Sequence, residues 1–369
     1  MYTIMFVGGF YDFIKKHKTV SLFLFLFTFF SLFFVSGFRY QTGWDWPNYT
    51  HFFQYVPKQV TKLIQFAQSP SNNYEIGYTF FNFFIKIAGG NIHWVFVAFS
   101  FVSIGLVYKS LPKYTPYVFI TLLIYLFNFY YLNFSYIRQG LVAAVFLYSL
   151  RYIEEGSFLR YSFCVLLGFL FHASAILTLP LYFFLNRRPK KLCYILILLF
   201  SFVLSRLHWI EVFLNLITGG NIVLQKFIVT ANRFQSDGAA GLSTRFIEFL
   251  VVFLFCLYHR GFLTSKFRYF NIFLNCTLVY LAIYLLFNDL KIFVERIGVL
   301  FIIGPTFLYP FVLGKVKERY FKAGIYIVIA GIIFIRGVTF LQGSKQKNGA
   351  VIESQFLPYK NYLVEIISK

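Results

Sequence analysis

The stretch Ser135-Tyr-Ile-Arg138-Gln139-Gly140 opens an apolar run that continues to Tyr152, and the charged turn Arg151 to Arg160 follows it. A second apolar run then passes through Phe171-His172-Ala-Ser174 to Tyr182. Two apolar runs joined by a basic turn read as membrane helices, and that reading decides the fold. Arg138 and His172 then lie inside the membrane or at its edge. Ionisable groups are costly there, which makes both of them functional candidates.

Composition agrees with this reading. The 369 residues are 59% hydrophobic and only 13% charged, with 54 Phe and 28 Tyr, whereas soluble domains run about 45–50% apolar and about 25% charged. The chain is expected to be a polytopic membrane protein, one integral membrane domain over 1–369. The net charge of +21 falls between apolar runs, where basic residues set topology and meet anionic headgroups. Nucleic acid is not an expected partner, because no soluble basic module exists to carry it. Cys164, Cys193, Cys256 and Cys276 show no metal-ligand spacing and read as small buried hydrophobes. No metal or cofactor is implied. Val20 to Ser36 follows a basic patch without a cleavage site and reads as a first transmembrane helix.

Apolar runs at Val20–Ser36, Trp94–Tyr108, Pro116–Leu132, Ile137–Tyr152, Leu159–Leu185, Leu192–Leu204, Arg245–Tyr258, Phe270–Phe287, Ile297–Leu313 and Ala323–Leu341 are candidate spans. Tyr74 to Lys86 is short and reads as re-entrant or interfacial. Placing the basic short loops in the cytoplasm turns the loops 37–73 and 205–244, the Arg138 end, the turn 288–296 and the tail 342–369 outward. Leu159–Leu185 then starts and ends on the same side. It is predicted to be a hairpin turning near His172; the alternative is one straight span that violates the charge rule at one loop. About 11 crossings result.

On this topology Arg138 sits at the outer start of a helix, with Ser135 as its expected N-cap. Its planar fork suits phosphate. His172 becomes a candidate base or acceptor-orienting group. The first outer loop reads Arg39-Tyr-Gln-Thr-Gly43-Trp-Asp45-Trp-Pro47-Asn-Tyr49, and a short helix after Pro47 would bring Tyr49 beside Asp45. Aromatic rings around a carboxylate suit a sugar, whose faces stack and whose hydroxyls donate. Glu75 adds a second carboxylate. The second outer loop carries Arg233 and Arg245, with Ser236 to Gly241 as a candidate lid. Arg296 lies in a third charged patch, and Arg336 is a charge within the last span.

The order of Arg39-Tyr-x-x-Gly43-x-Asp45-x-x-x-Tyr49, Tyr74-Glu75-x-Gly-Tyr78, Ile137-Arg138-Gln139-Gly140 and Phe171-His172-x-Ser174-Ala175 resembles the EpsG-like branch of the Wzy-type polysaccharide repeat-unit polymerases. Arg296-Ile and Pro358-Tyr-Lys also fit, whereas the loop 205–244 matches no family pattern. The resemblance implies a GT-C-like membrane glycosyltransferase, independent of metal, that joins undecaprenyl-diphosphate-linked repeats into O-antigen or exopolysaccharide. The work would be done on the outer, periplasmic face of a bacterial cytoplasmic membrane. It implies lipid-linked oligosaccharides as donor and acceptor, membrane lipids as surroundings, and a chain-length regulator and a flippase as partners. Arg138, His172 and Asp45 would be catalytic. Arg39, Tyr49, Glu75, Gln139, Arg233, Arg245 and Arg296 would bind substrate. A lipid-linked oligosaccharide flippase or other transporter, and a ligase or membrane acyltransferase, remain as alternatives.

Overall fold

In the computed structural model the described residues are all but 15–17, 70–71, 208, 210–240, 344, 349–350, 355 and 368–369. The chain forms an all-α membrane protein built as two compact units, one of residues 1–182 and 316–369 and one of residues 183–315.

The first unit begins with α1 (Tyr2–Ile14) and α2 (Lys18–Gly37), followed by the two-residue strand β1 (Arg39–Tyr40). The outer loop then folds into α3 (Trp46–Tyr55) and α4 (Val60–Gln68). Next come α5 (Ile76–Ile87), α6 (Ile92–Tyr114), α7 (Val118–Tyr125), a π turn at Leu126–Tyr130, α8 (Leu132–Ser135) and α9 (Ile137–Glu154). The helix after Pro47 that the sequence predicts is α3, with Pro47 in its first turn. It stops at Val56, which precedes a proline and so avoids the helical region. The Lys86 ammonium takes up its last carbonyls, donating to the oxygens of Phe53, Gln54 and Val56 at 2.9, 2.8 and 2.6 Å. A cation at a helix C-terminus satisfies open carbonyls and the dipole together.

The run 159–185 is a hairpin. Its first arm is α10 (Phe158–Phe169), and its second is the 3-10 helix Ala173–Leu181, continued by α11 (Tyr182–Leu185). The arms run antiparallel. The Tyr161 hydroxyl donates to the Thr178 carbonyl at 2.6 Å, the Phe158 ring meets Tyr182, and Gly168 faces Ala175. His172 is at the turn, as predicted, and the straight-span alternative is set aside.

Glycine sets the closest approaches. Gly43 has φ +100°, and a β-carbon there would lie 2.2 Å from the Phe134 carbonyl oxygen. The outer loop thus rests on the backbone just before α9. Trp44 N–H donates to Ser135 Oγ at 3.2 Å. This corrects the expected N-cap: Tyr136 holds the cap position of α9 without a side-chain bond, because the Ser135 hydroxyl serves the loop. Sequence reading also missed α1. Its Gly8-Gly9 pair lets Phe119 and Tyr326 pack directly against backbone, and the Asp12 carboxylate accepts from Ile120 N–H at 3.0 Å, capping α7.

The second unit holds α12 (Lys191–Arg206), α13 (Thr244–Tyr258), α14 (Arg260–Lys266), α15 (Phe270–Leu286), α16 (Lys291–Ile297) and α17 (Ile303–Lys315). Hydrocarbon offers backbone groups no partner, so they must be satisfied internally. Asn275 does this for the end of α11: its amide nitrogen donates to the carbonyls of Leu185 and Arg187 at 2.8 and 2.9 Å, while its oxygen accepts from Tyr194 at 2.7 Å. Gly304 lets α17 touch the α15 backbone at Cys276 and Thr277, small residues being what such contacts need.

The last long helix, α18 (Arg319–Gly343), belongs to the first unit, as do the strands β2 (Lys345–Asn348), β3 (Val351–Ser354) and β4 (Lys360–Asn361) and the helix α19 (Tyr362–Ile367). β4 pairs antiparallel with β1, so the tail returns to the outer loop. Arg336 inside α18 donates to Asn128 in the π turn, which gives that intramembrane charge a polar partner.

Val20–Gly37, Ile92–Tyr114 and Arg319–Gln342 are each long and apolar enough to cross a bilayer. Two bent pairs, Thr244–Tyr258 with Arg260–Lys266 at 82° and Val294–Phe301 with Ile303–Lys315 at 42°, raise this to five. Five further apolar helices have 10–17 residues. At about 1.5 Å per residue these are shorter than the roughly 30 Å hydrocarbon layer, so helix length alone gives fewer crossings than the charge pattern.

Gly43→Ala is expected to cost about 2–4 kcal/mol, from the left-handed backbone and the carbonyl contact together. Thermal unfolding of the purified full chain in detergent measures it, and a variant as stable as the parent would contradict the close approach.

Candidate active site

The site assembles in the first unit from three elements that meet at one carboxylate. Glu75 stands at the N-cap of α5. One of its oxygens, Oε2, forms an ion pair with Arg138 Nη1. The other, Oε1, accepts from the Ala173 backbone N–H at 2.9 Å, the first residue beyond His172. A second bond fixes the same junction, from Gly77 N–H to the Leu170 carbonyl at 2.8 Å. A β-carbon at Gly77 would lie 2.6 Å from that oxygen, which is why this position of the Tyr-Glu-x-Gly-Tyr motif is a glycine.

Arg138 lies in the first turn of α9. Its guanidinium carbon is 4.5 Å from the Tyr74 ring centre and 5.5 Å from that of Tyr78, the range of cation–π attraction. It also shares a hydrogen bond with the Tyr49 hydroxyl. The side chains of Arg138 and Glu75 are 16% and 21% exposed, so the pair is largely desolvated yet still open on one side. Two buried polar atoms here, Arg138 Nε and the Tyr78 hydroxyl oxygen, have no hydrogen-bond partner. Buried donors without acceptors are uncommon. Arg138, Gln139 and Gly140 form one turn. Gln139 is buried, and Gly140 leaves room for the Asn133 side-chain oxygen, 3.1 Å from where a β-carbon would sit.

His172 caps the second hairpin arm. Its Nδ1 accepts from Ser174 N–H at 3.1 Å, with Ser174 Oγ at 2.8 Å. A neutral imidazole with Nδ1 accepting carries its proton on Nε2. In this geometry Nε2 of the neutral ring is a donor. Asp45 starts α3, is half-buried, and lies near enough to Tyr49 and Tyr74 to raise the pKa of both hydroxyls, for which burial is the larger cause.

Other expected site residues fall elsewhere. Arg39 is completely buried. Its Nη1 donates to the Ser36 carbonyl at 2.7 Å, and its guanidinium carbon is 4.1 Å from the Phe96 ring centre. Burial lowers its pKa to about 10, which leaves it charged at neutral pH. It braces the outer loop from within and does not reach the surface where a substrate would meet it. Tyr49 is also buried and reaches the site as an inner wall. Arg245 and Arg296 are half-buried residues of the second unit. The Arg245 guanidinium carbon is 5.5 Å from the Phe249 ring centre, and the nearby Glu248 accepts from the Tyr309 hydroxyl. Arg233, and the candidate lid from Ser236 as far as residue 240, lie outside the described residues. Among the described residues no group of three or more His, Cys, Asp and Glu side chains could hold a metal ion. Sequence reading missed Tyr74 and Tyr78 as the rings flanking Arg138; their four-residue spacing around Glu75 was the available signal.

A family model described as the EpsG family matches residues 22–361. No curated protein and no solved structure matches the chain.

Glu75→Ala should free the Ala173 amide. Loss of a hydrogen bond to a charged acceptor, about 1.5–3 kcal/mol, corresponds to roughly 10–100-fold faster hydrogen exchange at residues 172–174. Mass spectrometry of the exchanging full chain reads this directly, and unchanged protection would contradict the three-way junction.

Proposed function

Since the chain belongs to the EpsG family, we propose that it is a polysaccharide polymerase that joins lipid-diphosphate-linked oligosaccharide repeats. On this reading the lipid is undecaprenyl diphosphate, and the site faces the periplasm across a bacterial cytoplasmic membrane. The chain makes about 11 crossings in a GT-C-like arrangement. The observation that carries the proposal is the Arg138 cluster. A guanidinium is pinned by Glu75, walled by Tyr74 and Tyr78, and keeps an unsatisfied Nε donor.

The chemistry asks for two things. The bond between the donor sugar and the diphosphate breaks, and negative charge gathers on the leaving oxygen. Arg138, held before substrate arrives, stabilises that charge without reorganising, and preorganised electrostatics of this kind is worth much in a water-poor site. The acceptor hydroxyl forms the new bond to the sugar carbon and loses its proton. Asp45 or His172 is proposed to take it. Arg233, Arg245 and Arg296 are proposed to add to diphosphate binding. A chain-length regulator and a flippase are proposed partners.

Arg138→Ala is expected to lower polymer formation about 100–1,000-fold, the effect of removing one preorganised donor from such a site, with single unpolymerised repeats accumulating. Arg138→Lys keeps the charge but loses the planar fork and should retain intermediate activity. Glycan length on gels, with protein level in membranes as control, provides the test. Normal polymer from Arg138→Ala would overturn the site; loss of all glycan including single repeats would point to transport instead.

A further inference from the structure

Beside the Arg138 cluster the first unit holds an open apolar trough of about 340 Å³. Its floor is one stripe of α9. Leu141, Val145 and Tyr148 line it, and they follow Arg138 at intervals of three, seven and ten residues, which puts all four on one helical face. One wall is the first hairpin arm, through Cys164, Leu167 and Phe171, the last of which is the neighbour of His172. The facing wall is α6, through Ala98, Val102 and Leu106, spaced four apart along one face. Phe81 and Phe99 complete the lining, and the Phe99 and Phe171 ring centres are 5.7 Å apart. Val102 and Leu167 are 46% and 43% exposed. From Leu141 to Tyr148 the floor runs about 10 Å at 1.5 Å per residue. The Arg151 guanidinium carbon lies 3.8 Å from the Tyr148 ring centre and closes the far end.

We propose that this trough holds the first isoprene units of the lipid carrier's polyprenyl chain, with the attached diphosphate at Arg138. This rests on the lipid-diphosphate reading above. Two features on the molecule select that occupant. The floor lies on the same face of α9 as the arginine and begins three residues beyond it, so a single chain leaving a diphosphate at Arg138 meets this apolar surface within one turn. The opposite end is stopped by a second charged group, so the slot suits one hydrocarbon segment of limited length that then passes out into the bilayer. The walls gain by excluding water from that chain, at roughly 25 cal/mol per Å² of apolar surface covered.

The test uses the full chain in phosphatidylcholine nanodiscs. It measures affinity for a long polyprenyl diphosphate of eight or more isoprene units and for geranyl diphosphate, which has two. The expected result is at least tenfold tighter binding of the long chain, a difference of about 1.4 kcal/mol. Val145→Trp, which puts an indole on the floor, should reduce the long chain to the short-chain affinity and leave geranyl diphosphate within twofold. Val102→Trp on the facing wall should do the same, which guards against one variant misfolding. Arg138→Ala should weaken both ligands alike. Equal affinity for the two chain lengths, long-chain binding indifferent to both tryptophans, or equal competition by phosphatidylglycerol would each overturn the proposal. If the chain-length effect holds while membranes elongate no glycan, the trough stands and the polymerase reading falls; elongation with no chain-length effect gives the reverse.

Discussion

One carboxylate, Glu75, ties three elements of the first unit together. One oxygen takes the Arg138 guanidinium and the other takes the Ala173 amide, so α5, α9 and the hairpin turn share a single anchoring point. The geometry also explains why an ion pair is tolerated there. Each charge has a hydrogen-bonded partner, and the pair is not fully withdrawn from solvent. Removing either partner would leave the other largely desolvated and unmatched, at a cost on the order of 3 kcal/mol. Tyr74 and Tyr78 lower the cost further by presenting ring faces to the cation.

The same anchor gives the site its asymmetry. Arg138 is held by Glu75 while its Nε donor has no partner. His172 is held at Nδ1 by its own hairpin arm. Glu75 ties Arg138 to the hairpin turn.

How much of this could be read beforehand depends on the range of the interactions. The membrane class follows from composition and needs no contacts. The hairpin at His172 is the course that loop charges favour over one straight span for the 27-residue run 159–185, and the antiparallel arms have that form. The helix bearing Tyr49 follows from Pro47. What could not be read is pairing across distance. Glu75 and Arg138 are 63 residues apart, and Ser135 and Trp44 are 91 apart. A local capping rule assigned Ser135 to its own helix, and a remote loop amide claimed it. Arg39 carried the same signal as any loop arginine, and only the fold shows it enclosed by Phe96 and the returning tail. Helix α1 escaped notice because its two glycines and its aspartate look like loop residues until the helices they serve are in place.

The central claim is that Glu75 acts on the reaction by holding Arg138. A double-mutant cycle on polymer elongation in membranes, with Glu75→Gln, Arg138→Ala and the pair, isolates that coupling. The account predicts that each single change slows elongation and that adding Glu75→Gln to Arg138→Ala slows it no further. Independent, multiplying losses would contradict it and would give Glu75 a role of its own.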